Sequence, residues 1–182
     1  MFNLEQVRQN SIEAMLSIDI DQVRLLAQRM IFAIQAKRQI ITCGNGGSAA
    51  HASHLVGELI GRYRLDKRWP VRAVCLNTDQ VVTTALANDF GYEHVFSKQI
   101  DSICGKDDVL IAFSTSGKSQ NITYALSNAK AENATTCLIT GDMSSHPDAQ
   151  VIRVRSTDTP RIQEAHQLIL HMLCELLDEA LT

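Results

Sequence analysis

His54 and Glu58 stand four residues apart, one turn of a helix, just after the stretch Cys43-Gly44-Asn45-Gly46-Gly47-Ser48. A carboxylate and an imidazole on one helix face can act together on one ligand and move its protons. The stretch before them suits an anion. The apolar run Gln39-Ile40-Ile41-Thr42 delivers the chain, and the glycines let the backbone approach a ligand closely. The helix that follows directs its unpaired N–H groups and positive dipole end at an anion. A phosphorylated substrate fits such a place, with Asn45, Gly46, Gly47 and Ser48 around it. Taken alone, His54 and Glu58 also read as a solvated i,i+4 pair.

A second polar loop lies downstream. Val109-Leu110-Ile111-Ala112-Phe113 runs into Ser114-Thr115-Ser116-Gly117-Lys118-Ser119, ahead of the helical run 122–131. Hydroxyls and backbone N–H groups at a strand-to-helix junction suit phosphate oxygens, and the loop is not a Walker sequence. One such loop is compatible with plain helix capping; two in one chain favour binding. Near the C-terminus, a helix over about 161–181 carries the apolar stripe Ile162, Ala165, Leu168, Ile169, Met172, Leu173, Leu176 and Ala180. Gln163 and His171 fall on its other side together with Leu170 and Cys174, so that side is packed as well. They are separated by about 12 Å along the axis, so sharing a ligand requires leaning side chains or different subunits.

The elements that must position these residues alternate. Residues 4–37 carry two helix-like apolar patterns. Strand-like runs follow at 39–43, 71–76, 109–113, 135–140 and 151–154, mostly separated by helical patterns. That alternation predicts an α/β fold, a central parallel sheet with helices on both faces and extra N-terminal helices, binding ligands at the carboxyl ends of its strands. On the following helix, Ala52, Leu55, Val56, Leu59 and Ile60 form an apolar stripe opposite His54 and Glu58. A chain of 182 residues is read as one domain, 1–37 supplying the helices and 38–182 the α/β core and C-terminal helix. The flexible segments are expected at 65–70 and 141–148.

A net charge of −3 gives no broad attraction to nucleic acid or acidic membranes. Five scattered cysteines, none in a CxxC pair, argue against a disulfide framework or thiolate zinc site and fit a reducing cytoplasm. The first residues lack a signal-peptide pattern, and no run approaches membrane-spanning length. Tyr63, Trp69 and Tyr92 are read as packing or loop-anchoring aromatics outside the site.

The segments CGNGGS, HLVGELIGRYR, ANDFG, STSGKS and RIQEAHQLILH, in this order and spacing, resemble the phosphoheptose isomerases of the sugar isomerase (SIS) domain superfamily over nearly the whole chain. The resemblance implies a flavodoxin-like three-layer fold and conversion of sedoheptulose 7-phosphate to D-glycero-D-manno-heptose 7-phosphate, the opening reaction of bacterial ADP- or GDP-heptose synthesis for lipopolysaccharide and related glycans. It implies substrate contacts from Asn45, Gly46, Gly47, Arg62, Asn88, Asp89, Ser114, Thr115, Ser116, Ser119 and Gln163. It further implies zinc at His54, Glu58, Gln163 and His171, and a homotetramer with sites between subunits. Enediol isomerisation needs a base, an acid and stabilised oxygen charge; Glu58 is the candidate base and His171 the candidate acid. Both can hardly be zinc ligands and proton carriers at once. Glutamine is also a weak zinc ligand, which points to loose metal.

Two departures bear on the sugar end of the pocket: 141–145 lacks a glycine pair common in the family, and Pro160 replaces an acidic residue before Arg161. A rival reading comes from Leu76–Val82 and Ala87–Asp89, which resemble non-catalytic relatives that bind the bacterial replication initiator. Those relatives tend to lose the acid and metal residues that Glu58 and His171 match here. A sugar-phosphate sensor without chemistry is the third reading.

Overall fold

The computed structural model describes residues 3–65, 69–142 and 145–181. Two helices come first, α1 (Leu4–Leu16) and α2 (Ile20–Gln35). Each begins where a short polar side chain takes up an orphan donor: Asn3 Oδ1 accepts from the Gln6 N–H, and Asp19 Oδ1 from the Gln22 N–H. The chain then alternates through β1 (Gln39–Gly44), α3 (Gly47–Ile60), β2 (Arg72–Cys75), α4 (Gln80–Phe90), a 3-10 turn at Tyr92–His94 and α5 (Ser97–Ile103). It continues with β3 (Val109–Ser114), α6 (Gln120–Ala131), β4 (Thr135–Thr140), β5 (Gln150–Arg153) and α7 (Thr159–Ala180).

The strands form one parallel sheet in the order β2-β1-β3-β4-β5, the flavodoxin-like winding. Alternate residues of the central strands serve opposite layers. Ile40, Ile111, Phe113, Cys137 and Ile139 pack with buried residues of α1, α2, α3 and α7. Ile41, Cys43, Leu110, Ala112 and Leu138 pack with Ile100 of α5 and with Ile122, Ala125 and Leu126 of α6. Both faces are covered, which is why these strands read as nearly continuous apolar runs rather than as alternating ones. The winding reverses direction between β1 and β3, whose carboxyl ends pair at Gly44 and Phe113. Ligand crevices open at such a switch point.

Two apolar stripes need correction. Ile60, expected on the buried stripe of α3, is 62 % exposed, because α3 ends there, immediately before Gly61. On α7 the buried arc includes Leu170, Cys174 and Leu177 with Ile162, Ala165, Ile169 and Leu173, whereas Leu168, Met172 and Leu176 are half-buried and Ala180 is exposed. Helix α7 packs against α1, α2 and α3 together, so its buried surface is wider than one stripe. None of the five cysteines forms a disulfide, and no described helix is long and apolar enough to cross a membrane. Of the two segments expected to be flexible, residues 66–68 and 143–144 lie outside the described residues.

Candidate active site

The two polar loops leave the sheet side by side, after β1 and β3. Gly46 takes a positive φ of 55°, which turns the chain from strand into helix where a side chain would be strained. A Cβ on Gly47 would lie 2.5 Å from Gln163 Nε2, so this glycine is what lets the glutamine amide rest on the first turn of α3. Asn77, beyond β2, holds the turn from the other side. Its Nδ2 donates to the Gly44 carbonyl at 2.8 Å, and its Oδ1 accepts the Gly44 N–H at 3.1 Å.

Asn45 links the loops. Its Nδ2 donates to Asn121 Oδ1, and its Oδ1 accepts from Asn121 Nδ2, both at 2.9 Å. Asn121 is buried in the first turn of α6, directly behind the serine-rich loop. Tyr92 also donates its hydroxyl to Asn45 Oδ1 at 3.0 Å, so this aromatic, excluded on sequence grounds, touches the cradle. In the second loop, the Gly117 N–H donates to Ser114 Oγ and the Lys118 N–H to Ser116 Oγ. Ser119 is the residue before α6 and makes no side-chain cap, so capping does not account for its hydroxyl. Thr115, Ser116 and Lys118 line a cavity of about 470 Å³ with Asp142, Thr159 and Ile162.

From the cradle, α3 and α7 run in the same direction. Gln163 meets Gly47 at the start. Further along, the His54 and His171 rings meet edge to face, with centroids 5.3 Å apart. The matching steps are about 10 Å on α3 and about 12 Å on α7, from the helical rise. Met15, Gly47, His51, Pro160, Gln163, Glu164 and Gln167 line a cavity of about 590 Å³ along this groove. At its far end, His54 Nε2 lies 3.0 Å from Glu58 Oε1. Gln167 Nε2 lies 3.0 Å from His54 Nδ1 and 2.9 Å from His171 Nε2. The pair on α3 is therefore more than a surface contact; its imidazole, although partly exposed, faces a second helix. Tyr63 lies over His171 at 5.9 Å between centroids, again beside the site rather than apart from it.

Gln167 escaped the sequence reading, although its spacing of four from both Gln163 and His171 places it on their face of α7. The structure does not bring all the expected residues into this groove. Asn88 and Asp89 are exposed near the end of α4, where Asn88 Nδ2 donates to Asp89 Oδ1. Arg62 is exposed just past α3.

Deeper in the protein, His51 and His166 lie 6.0 Å apart beside the Phe113 ring. Burial, and secondarily His54, lowers the His51 pKa. Burial and then His51 push the His166 pKa down to about 3, against a smaller opposing effect of the Thr140 backbone. Both rings are neutral near pH 7, and His51 gives the groove an uncharged lining.

His54 Nδ1 and His171 Nε2 both face the Gln167 amide, and imidazole, carboxylate and amide oxygen are donors that zinc accepts. The donor chemistry of His54, Glu58, Gln163 and His171 fits that ion. Among the described residues, no group of three His, Cys, Asp or Glu already stands as a metal cage, and the Gln167 amide sits between the two imidazole nitrogens.

Comparison with known proteins agrees with this architecture. The SIS domain family model matches residues 5–141. A phosphoheptose isomerase of Helicobacter pylori (strain P12) is 39 % identical over 178 residues, covering 96 % of this chain and 90 % of the relative. The structure of a phosphoheptose isomerase from Neisseria gonorrhoeae superposes with a TM-score of 0.88 at 32 % identity, covering 97 % of each chain. One from Francisella tularensis also gives 0.88, at 28 % identity, over 98 % of this chain and 100 % of that one. The loops at the β1–β3 switch point and the groove between α3 and α7 thus sit in a chain that belongs to the phosphoheptose isomerases of the SIS-domain superfamily.

Proposed function

We propose that this protein converts sedoheptulose 7-phosphate to D-glycero-D-manno-heptose 7-phosphate, the first committed reaction toward activated heptose for bacterial surface glycans. The observation that carries the reading is the groove itself: an anion cradle at one end, an imidazole–carboxylate cluster at the other, and a cavity lined by both helices between them. Such a site holds a phosphate at a distance from the carbons that react. Backbone N–H groups around Gly46 and Gly47, with Ser48, Ser114, Thr115, Ser116 and Ser119, supply donors for the ester oxygens. Gln163 and Asn45 stand at the entrance to orient the sugar chain.

Isomerisation moves one carbon-bound proton and one oxygen-bound proton between adjacent carbons. Glu58 takes the proton from the hydroxymethyl carbon and returns it to the neighbouring carbon of the enediol. His171 receives the proton of the terminal hydroxyl and passes it to the oxygen of the former ketone, so both residues end the turnover as they began. His54, Glu58, Gln163 and His171 would be the residues to hold a zinc ion, which would supply Lewis-acid stabilisation of developing oxygen charge; Glu58 and His171 carry protons only while they do not ligate it. Arg62, Asn88 and Asp89 join the site from another copy of the chain in a homotetramer. The exposed Leu4, Leu16, Phe32 and Val81 support such an assembly, being large apolar side chains that water does not favour. Conversion of sedoheptulose 7-phosphate by the purified protein, and its loss in Glu58→Gln, tests the reading.

A further inference from the structure

We propose that Gln167 is a positioning residue that sets the tautomers of His54 and His171, so that His171 presents a lone pair, not a hydrogen, at Nε2. The inference rests on the isomerase reading for its chemical meaning, but its basis is the hydrogen-bond chain Glu58, His54, Gln167, His171. A carboxylate only accepts hydrogen bonds. The contact of 3.0 Å between Glu58 Oε1 and His54 Nε2 therefore places a hydrogen on Nε2. A neutral imidazole carries one N–H, so His54 Nδ1 is left as an acceptor. The group facing Nδ1 at 3.0 Å must donate, which puts the NH₂ of Gln167 there, in agreement with its position. That same nitrogen has a second hydrogen and a second neighbour, His171 Nε2, at 2.9 Å. His171 Nε2 then accepts, and the ring hydrogen of His171 resides on Nδ1.

Three consequences follow from one amide. Once the substrate hydroxyl takes the place of the amide, His171 enters the reaction as a proton acceptor at Nε2, as needed for taking the proton of the terminal hydroxyl before delivering it to the neighbouring oxygen. The orientation of His171 is tied to Glu58 through three hydrogen bonds across two helices, so the two proton carriers are held as a unit. His54 Nδ1 and His171 Nε2 also face one place, so the same tautomers would serve as two ligands for a cation that took the place of the amide.

The test is the histidine side-chain ¹⁵N spectrum of the chelator-treated protein, recorded well above the ordinary imidazole pKa. The expected pattern is His54 protonated at Nε2 and His171 protonated at Nδ1, the minor form of a free imidazole. In Gln167→Leu, His171 should revert to the Nε2–H form, and kcat for the heptulose phosphate should fall about tenfold or more with KM nearly unchanged. A His171 already in the Nε2–H form in the unaltered protein overturns the inference, and that spectrum decides the question even where the leucine variant does not fold. A KM increase with unchanged kcat in Gln167→Leu also overturns it. Whether the unaltered protein turns over the sugar is a separate readout that judges the isomerase reading itself.

Discussion

Asn45 and Asn121 exchange two amide hydrogen bonds of 2.9 Å, one in each direction, across the switch point of the sheet. Through this pair the glycine loop after β1 and the helix behind the serine loop after β3 become one rigid cradle. Asn121→Leu removes both bonds and leaves the Asn45 amide short of partners in a part-buried place. The expected result is a loss of about 1–3 kcal/mol in denaturant unfolding and a raised KM with a smaller change in kcat. Equilibrium urea titration and steady-state kinetics on the same preparation check both.

Gly47→Ala places a methyl group against the end of the Gln163 side chain, 2.5 Å from Nε2. The glutamine is flexible and can retreat, so stability should change by less than about 1 kcal/mol. Binding should not be spared, because the amide leaves the mouth of the cradle. A several-fold loss of kcat/KM at nearly constant melting temperature is the expected pattern.

His166 supplies a pH signature of folding. Its pKa lies at about 3 in the folded protein, below the ordinary imidazole value of 6.5, so the unfolded chain binds the extra proton between those values. Its contribution is fully present above about pH 6.5 and is lost progressively as the pH falls toward 3, at up to about 1.4 kcal/mol per pH unit. His51, shifted the same way, adds to the trend. Replacing His166 by Phe, beside Phe113, should flatten the fall in urea midpoint between neutral and acid pH relative to the unaltered protein.

The zinc assignment predicts that protein purified without chelators carries a divalent metal and that His54→Ala or His171→Ala carries less. Elemental analysis of the three proteins measures this. Equal metal content in all three would remove these imidazoles from the metal site.

Much of this arrangement was legible in the sequence because its signals are local. The glycine turn, the serine loop and the i,i+4 spacing of His54 and Glu58 each sit within a few residues, and the apolar runs of β1, β3 and β4 mark buried parallel strands. What was missed depends on how elements meet. Gln167 reads as one more polar residue on α7 until α3 lies parallel beside it and turns His54 toward its amide. Asn77 and Asn121 are unremarkable in sequence, and their roles appear only when β2 and α6 reach Gly44 and Asn45. A lone aromatic after a glycine carries no address in the sequence, and only the 3-10 turn following α4 brings the Tyr92 hydroxyl to Asn45. The shift of the α7 stripe has the same origin, since periodicity gives the centre of a buried face but not how many neighbours widen it.

The most direct measurement of the central claim is proton NMR of sedoheptulose 7-phosphate incubated with the protein in D₂O. Proton transfer through an enediol by Glu58 predicts an aldose phosphate carrying deuterium at the carbon next to the aldehyde, with neither product nor exchange in a folded Glu58→Gln variant. Unchanged turnover in that variant, or no conversion by the unaltered protein with its metal restored, would contradict the account.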